Sequence, residues 1–220
     1  MNLRSLDGLL KETLPMGRIE AQRLPGCPEI TLGLINADFP LGPLPPEVMQ
    51  NVIARPAYWA LCWGSGLALA RYLLDRPDTI RGRRVVDLGS GSGVVAVAAA
   101  LAGATEVVAC DTDPAAREAT AANAALNGVR VSVTDALERL GEDHDLLLMA
   151  DVLYERSNLP LLDAVAGHAR EVLVADSRIA SLPDPAYVLV HEIPALTYPN
   201  LGEFDEFRTV RLFYRGPDAG

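Results

Sequence analysis

The part of the chain from Arg84 onward alternates short apolar runs with segments whose apolar residues recur at helical spacing. Such alternation is typical of a parallel sheet whose strands are joined by crossover helices. The apolar runs predict seven strands, which are RVVDL, EVVACD, VRVSVT, DLLLMA, EVLVAD, YVLVHEI and FRTVRLFY. The intervening segments predict helices that begin near Val94, Pro114, Ala136 and Leu159. Gly128 is well placed to end the second of these helices.

The stretch between the last two predicted strands, PALTYPNLGEFDE, carries no helical pattern. These two strands should therefore form an antiparallel hairpin at one end of the sheet. The predicted fold class is α/β. We expect a Rossmann-like three-layer sandwich around a seven-stranded, mostly parallel sheet with an antiparallel C-terminal strand.

The N-terminal part of the chain has a different character. Six prolines, at positions 25, 28, 40, 43, 45 and 46, surround one strand-like piece, EITLGLI. This pattern predicts an extension that can form a hairpin. We expect residues 1–56 to cover the active site rather than to form a core, and residues 57–220 to be the functional domain. Just after this boundary, Ser65 can cap a helix of apolar periodicity.

Composition narrows the class of protein. The 220 residues are 50% hydrophobic and carry a formal net charge of −10, with a sequence pI near 4.7. Nucleic-acid binders concentrate Lys and Arg on one face, so this charge opposes a nucleic-acid partner and favours a neutral or basic one. The three cysteines form no CxxC pair, which suggests neither a disulfide framework nor a metal site.

The first residues lack the continuous apolar region of a signal peptide. The longest apolar stretch, residues 94–104, is well short of the roughly 20 residues that span a bilayer. We therefore expect a protein of the reducing cytoplasm that has no membrane partner. The sequence leaves its oligomeric state open.

Five acids lie at or just after the carboxyl ends of the first five predicted strands. In an open α/β sheet, ligands bind beyond the carboxyl ends of the strands, where the helix N-termini also point. Residues at these ends are therefore the first candidates for a binding site. The five acids are Asp87, Asp111, Asp135, Asp151 and Asp176.

A glycine-rich turn, Gly89, Gly91 and Gly93, follows the first of these strands. A dinucleotide motif needs its third glycine one residue later, so NAD is disfavoured. Asp87 would repel a pyrophosphate but would suit a ligand with an ammonium group. Asp111 stands at about the spacing at which an acid accepts hydrogen bonds from a ribose. A ribose and a cation without phosphate describe S-adenosylmethionine, while the simpler alternative is that the glycines permit close helix–strand packing.

Residues Arg84 to Tyr214 resemble the class I, seven-strand methyltransferases that use S-adenosylmethionine. Two stretches, PAYWALCWGSGLALARYLL and ADVLYE, are similar to the lysine methyltransferase group that acts on the electron-transfer flavoprotein β-subunit, and to bacterial nicotinamide N-methyltransferase-like proteins. The resemblance implies that residues of this chain contact every part of the cofactor. Trp63 would line its pocket, Gly89 and Gly91 would touch the methionine part, Asp111 would hold the ribose, and Asp135 and Ala150 would lie near the adenine and the methionine end.

The family's D-x-x-Y motif is present as Asp151 to Tyr154. The resemblance implies that Asp151 orients the acceptor amine and that Tyr154 forms a wall beside the amine or a hydrogen bond to it. The alternative is that Asp151 caps the next helix while Tyr154 packs under it. After the fifth strand, relatives in the family have the pattern D-P-G-R, whereas this chain has ADSRIASLPDPA. It keeps Asp176 and Arg178 but loses the Pro-Gly pair.

Several residues have simpler interpretations. Trp59 is four residues from Trp63 and is expected in the core. Cys110 lies in a predicted buried strand and is expected to act as a small hydrophobe. The acidic stretch GEFDEF is expected to be a solvated loop, although an open acidic rim would attract a basic protein segment.

We therefore expect a methyltransferase that acts on a protein lysine side chain. One alternative is an enzyme that methylates a small amine or other metabolite, which a deep closed pocket covered by residues 24–56 would favour. A second is a cofactor-binding protein without catalysis, which assists a partner.

Overall fold

The computed structural model describes residues 2–141, 143–154, 156–201 and 208–217. Within these ranges the α-helices are α1 (Leu3–Thr13), α2 (Pro46–Ala54), α3 (Gly64–Asp75), α4 (Val94–Leu101), α5 (Pro114–Leu126) and α6 (Leu161–Val165). The strands are β1 (Ile19–Leu24), β2 (Cys27–Ile35), β3 (Arg84–Leu88), β4 (Glu106–Cys110), β5 (Ser132–Thr134), β6 (His144–Ala150), β7 (Ala169–Asp176), β8 (Val188–Pro194) and β9 (Thr209–Arg215).

Strands β3 to β9 form one seven-stranded sheet in the order β5-β4-β3-β6-β7-β9-β8. The first five of these strands pair in parallel, and β9 pairs antiparallel with both β7 and β8. The predicted fold class and the predicted C-terminal hairpin are confirmed. Because β9 inserts between β7 and β8, the last strand in the chain lies inside the sheet and β8 forms its edge.

Apolar side chains project from both faces of the sheet and pack against helices, so the fold has three layers. On one face Val85, Leu146 and Leu148 pack with helices α3 and α4. On the other face, residues of β6 and β7 pack with Leu162 and Val165 of the short helix α6. Alternate residues of a strand point to opposite faces, so a strand buried on both sides is apolar throughout. This explains why the strands appear in the sequence as continuous apolar runs.

The predicted helices are confirmed where they are long, and corrected where they are short. Helices α4 and α5 begin at Val94 and Pro114, and Gly128 follows α5 with a φ of 68°. Near Ala136, however, the structure has only a three-residue 3-10 turn, Leu137–Arg139. The helix expected near Leu159 is the five-residue α6, which begins at Leu161 after a 3-10 turn.

The N-terminal hairpin exists, but its relation to the core differs from the prediction. Strands β1 and β2 pair antiparallel, with Ile19 opposite Ile35. Ile30, Leu32 and Leu34 of β2 are fully buried in the same core as helices α3 and α4. The expectation that this segment forms no core is therefore wrong. The division of the chain at residue 56 stays a prediction.

Two asparagines, Asn123 of α5 and Asn127 at its C-cap, attach the hairpin to the helical layer. The Asn123 side chain accepts from the Gly33 N–H at 2.7 Å and donates to the Ser92 carbonyl at 2.8 Å. Asn127 accepts from the Thr31 N–H at 2.9 Å and donates to the Thr31 carbonyl at 2.6 Å. These side chains act as a neighbouring strand would, because they satisfy backbone groups on the outer edge of β2. They place the hairpin against α5.

In the part of the chain that the structure describes, no helix is long and apolar enough to cross a membrane.

Candidate active site

A cleft of about 380 Å³ opens at the carboxyl ends of the central strands. It brings together seven of the residues predicted from the sequence, which are Trp63, Gly89, Gly91, Asp111, Ala150, Asp151 and Tyr154. The order of the strands explains this placement. The loop after β3 lies in the middle, Asp111 follows its neighbour β4, and Asp151 follows its other neighbour β6. What each of these residues binds stays a prediction.

The glycine turn is joined to Asp111 by its backbone. The Gly91 N–H donates to Asp111 Oδ2 at 2.9 Å, and the Asp113 N–H donates to Oδ1 at 3.0 Å. Burial raises the pKa of Asp111, while these two hydrogen bonds oppose that rise. Each carboxylate oxygen keeps a further lone pair for a ligand. The side chain is thus held in one orientation before any ligand binds.

The position of Asp87 corrects its predicted role. Its side chain does not line the cleft. Asp87 is 2% exposed, and its Oδ2 accepts from the Ala96 N–H in the first turn of α4 at 3.0 Å. Desolvation raises its pKa to about 7. The buried Asp87 side chain thus satisfies a backbone N–H at the N-terminus of α4 and does not face a ligand's ammonium group in the cleft.

Gly93 also serves packing and does not line the cleft. Its φ is 79°, and a Cβ at this position would lie 2.8 Å from the Thr120 Cα of α5. The close-packing alternative therefore holds for this glycine. Gly89 and Gly91 also have positive φ values, of 73° and 52°, but they differ from Gly93 because both line the cleft. Gly93 thus serves packing and Gly91 the binding surface, while Gly89 serves both, because a Cβ there would lie 2.6 Å from Val152 Cγ2.

Asp135 is the third predicted residue that does not line the cleft. It follows β5, which is the outermost strand on that side of the sheet. Its Oδ1 lies 2.7 Å from Nη1 of Arg139. The distance along the sheet from the central loop explains why a residue at the end of this strand falls outside the cleft.

Asp151 lies at the N-terminus of α3. Its Oδ1 accepts from the Ser65 hydroxyl at 2.6 Å, and its Oδ2 accepts from the Ser65 N–H at 3.2 Å. Its φ of 53° is unusual for a residue with a side chain. Burial raises its pKa to about 6, and the neighbouring Asp176 adds to the rise while Ser65 and Arg178 oppose it.

Two expectations about this region are corrected. Ser65 does not cap its own helix, because Trp63 is the N-cap residue of α3 and Ser65 lies within the first turn. Asp151 stabilises α3, which precedes it, and not the next helix. Tyr154 is 42% exposed, so it does not pack under a helix either. The structural alternative for the D-x-x-Y motif is therefore wrong in both parts.

Aromatic residues form the rim of the cleft, and the sequence analysis did not identify the middle one, Tyr58. Tyr58 lines the cleft beside Trp63, whose Nε1 donates to the Tyr58 carbonyl at 2.9 Å. Trp59 is 3% exposed, as expected for a core residue, and it also lines the cleft. A signal for Tyr58 existed, because it stands five residues before Trp63 in a stretch that carried the family resemblance.

Other lining residues also escaped the sequence analysis. Thr112 and Asp113 directly follow Asp111, so their positions could have been inferred from it. Asn158, Ala116 and Ser177 carry no pattern that separates them from ordinary loop or helix residues. In the sequence, Arg178 stands out only as part of the altered family motif.

Among the described residues, no group of three or more His, Cys, Asp or Glu side chains is placed to hold a metal ion. The acidic stretch GEFDEF, residues 202–207, lies outside the described residues. Its predicted role as a solvated loop therefore stays a prediction.

Comparisons with known proteins find methyltransferases among the similar sequences and structures. The family model for ribosomal protein L11 methyltransferase matches residues 68–158. The electron transfer flavoprotein beta subunit lysine methyltransferase of Xenopus laevis is 35% identical over 165 residues, which are 71% of this chain and 66% of the relative. The protein of that name from Rattus norvegicus is 38% identical over 127 residues, which are 54% of this chain and 50% of the relative.

A solved structure shows the same fold. The ribosomal protein L11 methylase from Lactobacillus delbrueckii subsp. bulgaricus superposes with a TM-score of 0.52 at 23% identity, over 67% of this chain and 77% of that one. At this identity the likeness concerns the fold alone. The chain spans between half and about two thirds of the length of the two curated relatives above, at 50% and 66%.

Proposed function

Because the chain belongs to the class I, seven-strand S-adenosylmethionine-dependent methyltransferases, we propose that it transfers a methyl group to a lysine side chain of a protein. One observation carries the proposal. Asp111 and Asp151 line a single cleft on either side of the glycine turn, so one acid can hold a ribose while the other meets an amine.

The residues of the cleft fit the proposed cofactor. Asp111 is fixed by two backbone N–H groups with acceptor capacity left for the ribose hydroxyls. At Gly91 a Cβ would meet no heavy atom closer than 4.0 Å, so the backbone there borders open space. Trp63 and Ala150 complete the lining on the side of Asp151. When bound, S-adenosylmethionine supplies a methyl group on a sulfonium, which is already a good electrophile.

The acceptor side of the cleft must hold and orient an amine. A lysine has an unperturbed pKa near 10.4, so it must lose a proton before it can attack. With a pKa of about 6, Asp151 is ionised at neutral pH and can accept a hydrogen bond from the amine. Its bonds to Ser65 fix its direction, and accurate positioning supplies much of the rate in such transfers. We assign Tyr154 to the wall of the acceptor site beside Asp151.

A protein acceptor is favoured over a small metabolite by two observations. The relatives at 35–38% identity are named for a lysine on a protein subunit. The described lining residues of the cleft all follow residue 57, so residues 24–56 do not enclose it as a small-molecule pocket would require. We further propose a cytoplasmic site of action, because the three cysteines are free thiols.

The proposal is tested by methyl transfer to protein. The purified enzyme would be incubated with labelled S-adenosylmethionine and with the electron-transfer flavoprotein of its own organism, and labelled residues would be located by mass spectrometry. We expect label on lysine, lost with Asp151→Ala. A parallel reaction would replace the flavoprotein with a cell extract. Label that appears only in small molecules of this extract would contradict the protein acceptor.

Cofactor binding is tested separately. We expect S-adenosylhomocysteine to bind in a calorimeter, and Asp111→Ala to abolish the heat of binding. Binding that survives this substitution would show that the ribose site lies elsewhere.

A further inference from the structure

Three aromatic rings stand at the rim of the cleft, and Tyr58 is the middle one. Its ring centroid lies 5.7 Å from that of Trp63 and 6.4 Å from that of Tyr154. The interplanar angles are 70° and 72°. The rings therefore meet edge to face, and this arrangement forms a corner instead of a stack.

Tyr58 is firmly held although its ring is exposed. It begins the 3-10 turn Tyr58–Ala60, in which Trp59 and Ala60 are buried. Trp63 donates from Nε1 to its carbonyl oxygen at 2.9 Å. Yet the Tyr58 residue is 48% exposed and Tyr154 is 42% exposed. Packing alone does not explain two large half-exposed rings in fixed positions at the mouth of a cleft.

The charges around the corner favour a cation. Asp111, Asp113 and Asp151 all line the cleft, whereas Arg178 is the single basic residue among its described lining residues. The face of an aromatic ring attracts ammonium groups through its quadrupole. Unlike a carboxylate, a ring face does this without accepting a hydrogen bond, so it binds an alkylammonium whether or not it is methylated.

We propose that Tyr58 and Tyr154 form a cation–π site for the ammonium end of the acceptor lysine. Tyr58, which lies outside the D-x-x-Y motif, is then a substrate-binding residue that selects a cationic side chain over a neutral one of the same shape. This inference rests on the proposed lysine methylation and adds a residue to its acceptor side.

The direct test uses two probes of equal shape and different charge. N-acetyl-trimethyllysine methylamide and its neutral isostere, with carbon in place of the ammonium nitrogen, would be titrated by NMR in the presence of S-adenosylhomocysteine. For the wild type we expect the charged probe to bind about 5- to 30-fold more tightly, the range that cation–π interactions of partly desolvated cations support. Equal affinities, or no binding of either probe, would overturn the inference.

Matched variants assign the effect to the ring. Tyr58→Phe keeps the π face and should keep the preference for the charged probe. Tyr58→Leu keeps an apolar side chain without a π face, and the preference should fall below about 2-fold. If the leucine variant keeps the full preference, Tyr58 is not the site. Should that variant fail to fold, Tyr154→Leu measures the same preference at the neighbouring ring.

Kinetics separates this inference from the proposed function. With a protein acceptor that the wild type methylates, Tyr58→Leu should raise the KM for that protein about 5- to 30-fold. The Kd for S-adenosylhomocysteine should change less than about 2-fold. An unchanged KM contradicts the inference alone. If the wild type labels no protein lysine, the proposed function fails, and the probe titration still decides whether a cation site exists.

Discussion

Ser65 and Asp151 are joined by two hydrogen bonds, one from the serine hydroxyl at 2.6 Å and one from its backbone N–H at 3.2 Å. The carboxylate thereby lies against the N-terminus of α3, where the helix dipole favours negative charge. Both oxygens are occupied from one side, so the remaining lone pairs have fixed directions. The residue that we assign to the acceptor amine is therefore oriented by a helix from a distant part of the chain.

The substitution Ser65→Ala should shift the pH dependence of methyl transfer. It removes a hydrogen bond to the charged form of Asp151, so the pKa of Asp151 should rise above its value of about 6. Activity that needs the ionised carboxylate would then begin at higher pH. We expect kcat/KM to fall about 3- to 10-fold near pH 6 and to recover above pH 8. Pre-steady-state or steady-state rates across pH 5–9 would measure this.

A control for this experiment is Ser132→Ala, since Ser132 is exposed on the edge strand β5. Its pH profile should match that of the wild type. An acidic limb that stays in place in Ser65→Ala would show that Asp151 does not govern the rate.

Alanine at Gly91 and at Gly93 should have different consequences. Gly93→Ala places a Cβ 2.8 Å from the Thr120 Cα, in addition to the strain of a positive φ, so it should destabilise the fold by about 2–4 kcal/mol. Gly91→Ala meets no atom closer than 4.0 Å and should cost about 1–2 kcal/mol, but its methyl group would border the cofactor cleft. Urea unfolding and calorimetry with S-adenosylhomocysteine would separate the two effects.

The matched control for strain alone is Gly128→Ala, because that glycine has a φ of 68° and open space around it. It should cost about as much stability as Gly91→Ala and leave cofactor affinity intact. Equal losses of affinity at positions 91 and 93 would contradict the division between binding and packing.

The sequence predicted the strands and the binding edge because both follow from local patterns. Buried strands are apolar throughout, and the acids that end them identify the edge of the sheet. It could not predict that the Asp87 side chain accepts from the Ala96 N–H instead of lining the cleft, because that depends on how α4 packs against the strand. Nor could it predict Ser65 beside Asp151, since 86 residues separate them. Tyr58 stands in the stretch that carried the family resemblance, but its contact with Tyr154 exists only in the folded chain.

Loss of the Asn123 side chain should weaken the attachment of the hairpin. Asn123 is fully buried, and Asn123→Ala would leave the Gly33 N–H and the Ser92 carbonyl without their partner. Each unsatisfied buried group costs about 1–3 kcal/mol, so we expect a loss of about 2–5 kcal/mol in the free energy of unfolding. Urea denaturation would measure it. The exposed Asn51→Ala should change stability by less than about 0.5 kcal/mol, and a similar loss in both variants would contradict this role.

The buried Asp87 should make the protein less stable as pH rises toward neutrality. Its pKa is raised from 3.8 to about 7, so the folded state binds the proton more tightly than the unfolded chain does. The contribution to stability is therefore fully present below pH 3.8 and is lost as pH rises through about 7. Since one pKa unit corresponds to 1.36 kcal/mol, the whole effect is about 4 kcal/mol.

The variant Asp87→Asn isolates this effect, because an amide oxygen can still accept from the Ala96 N–H but does not ionise. Between pH 4.5 and 8, the free energy of unfolding of the wild type should fall relative to that of the variant, by up to about 4 kcal/mol. Below pH 4 the two curves should run parallel. Parallel curves over the whole range would mean that Asp87 titrates normally in the folded protein, and the carboxylate would then have to reach water or a charged partner.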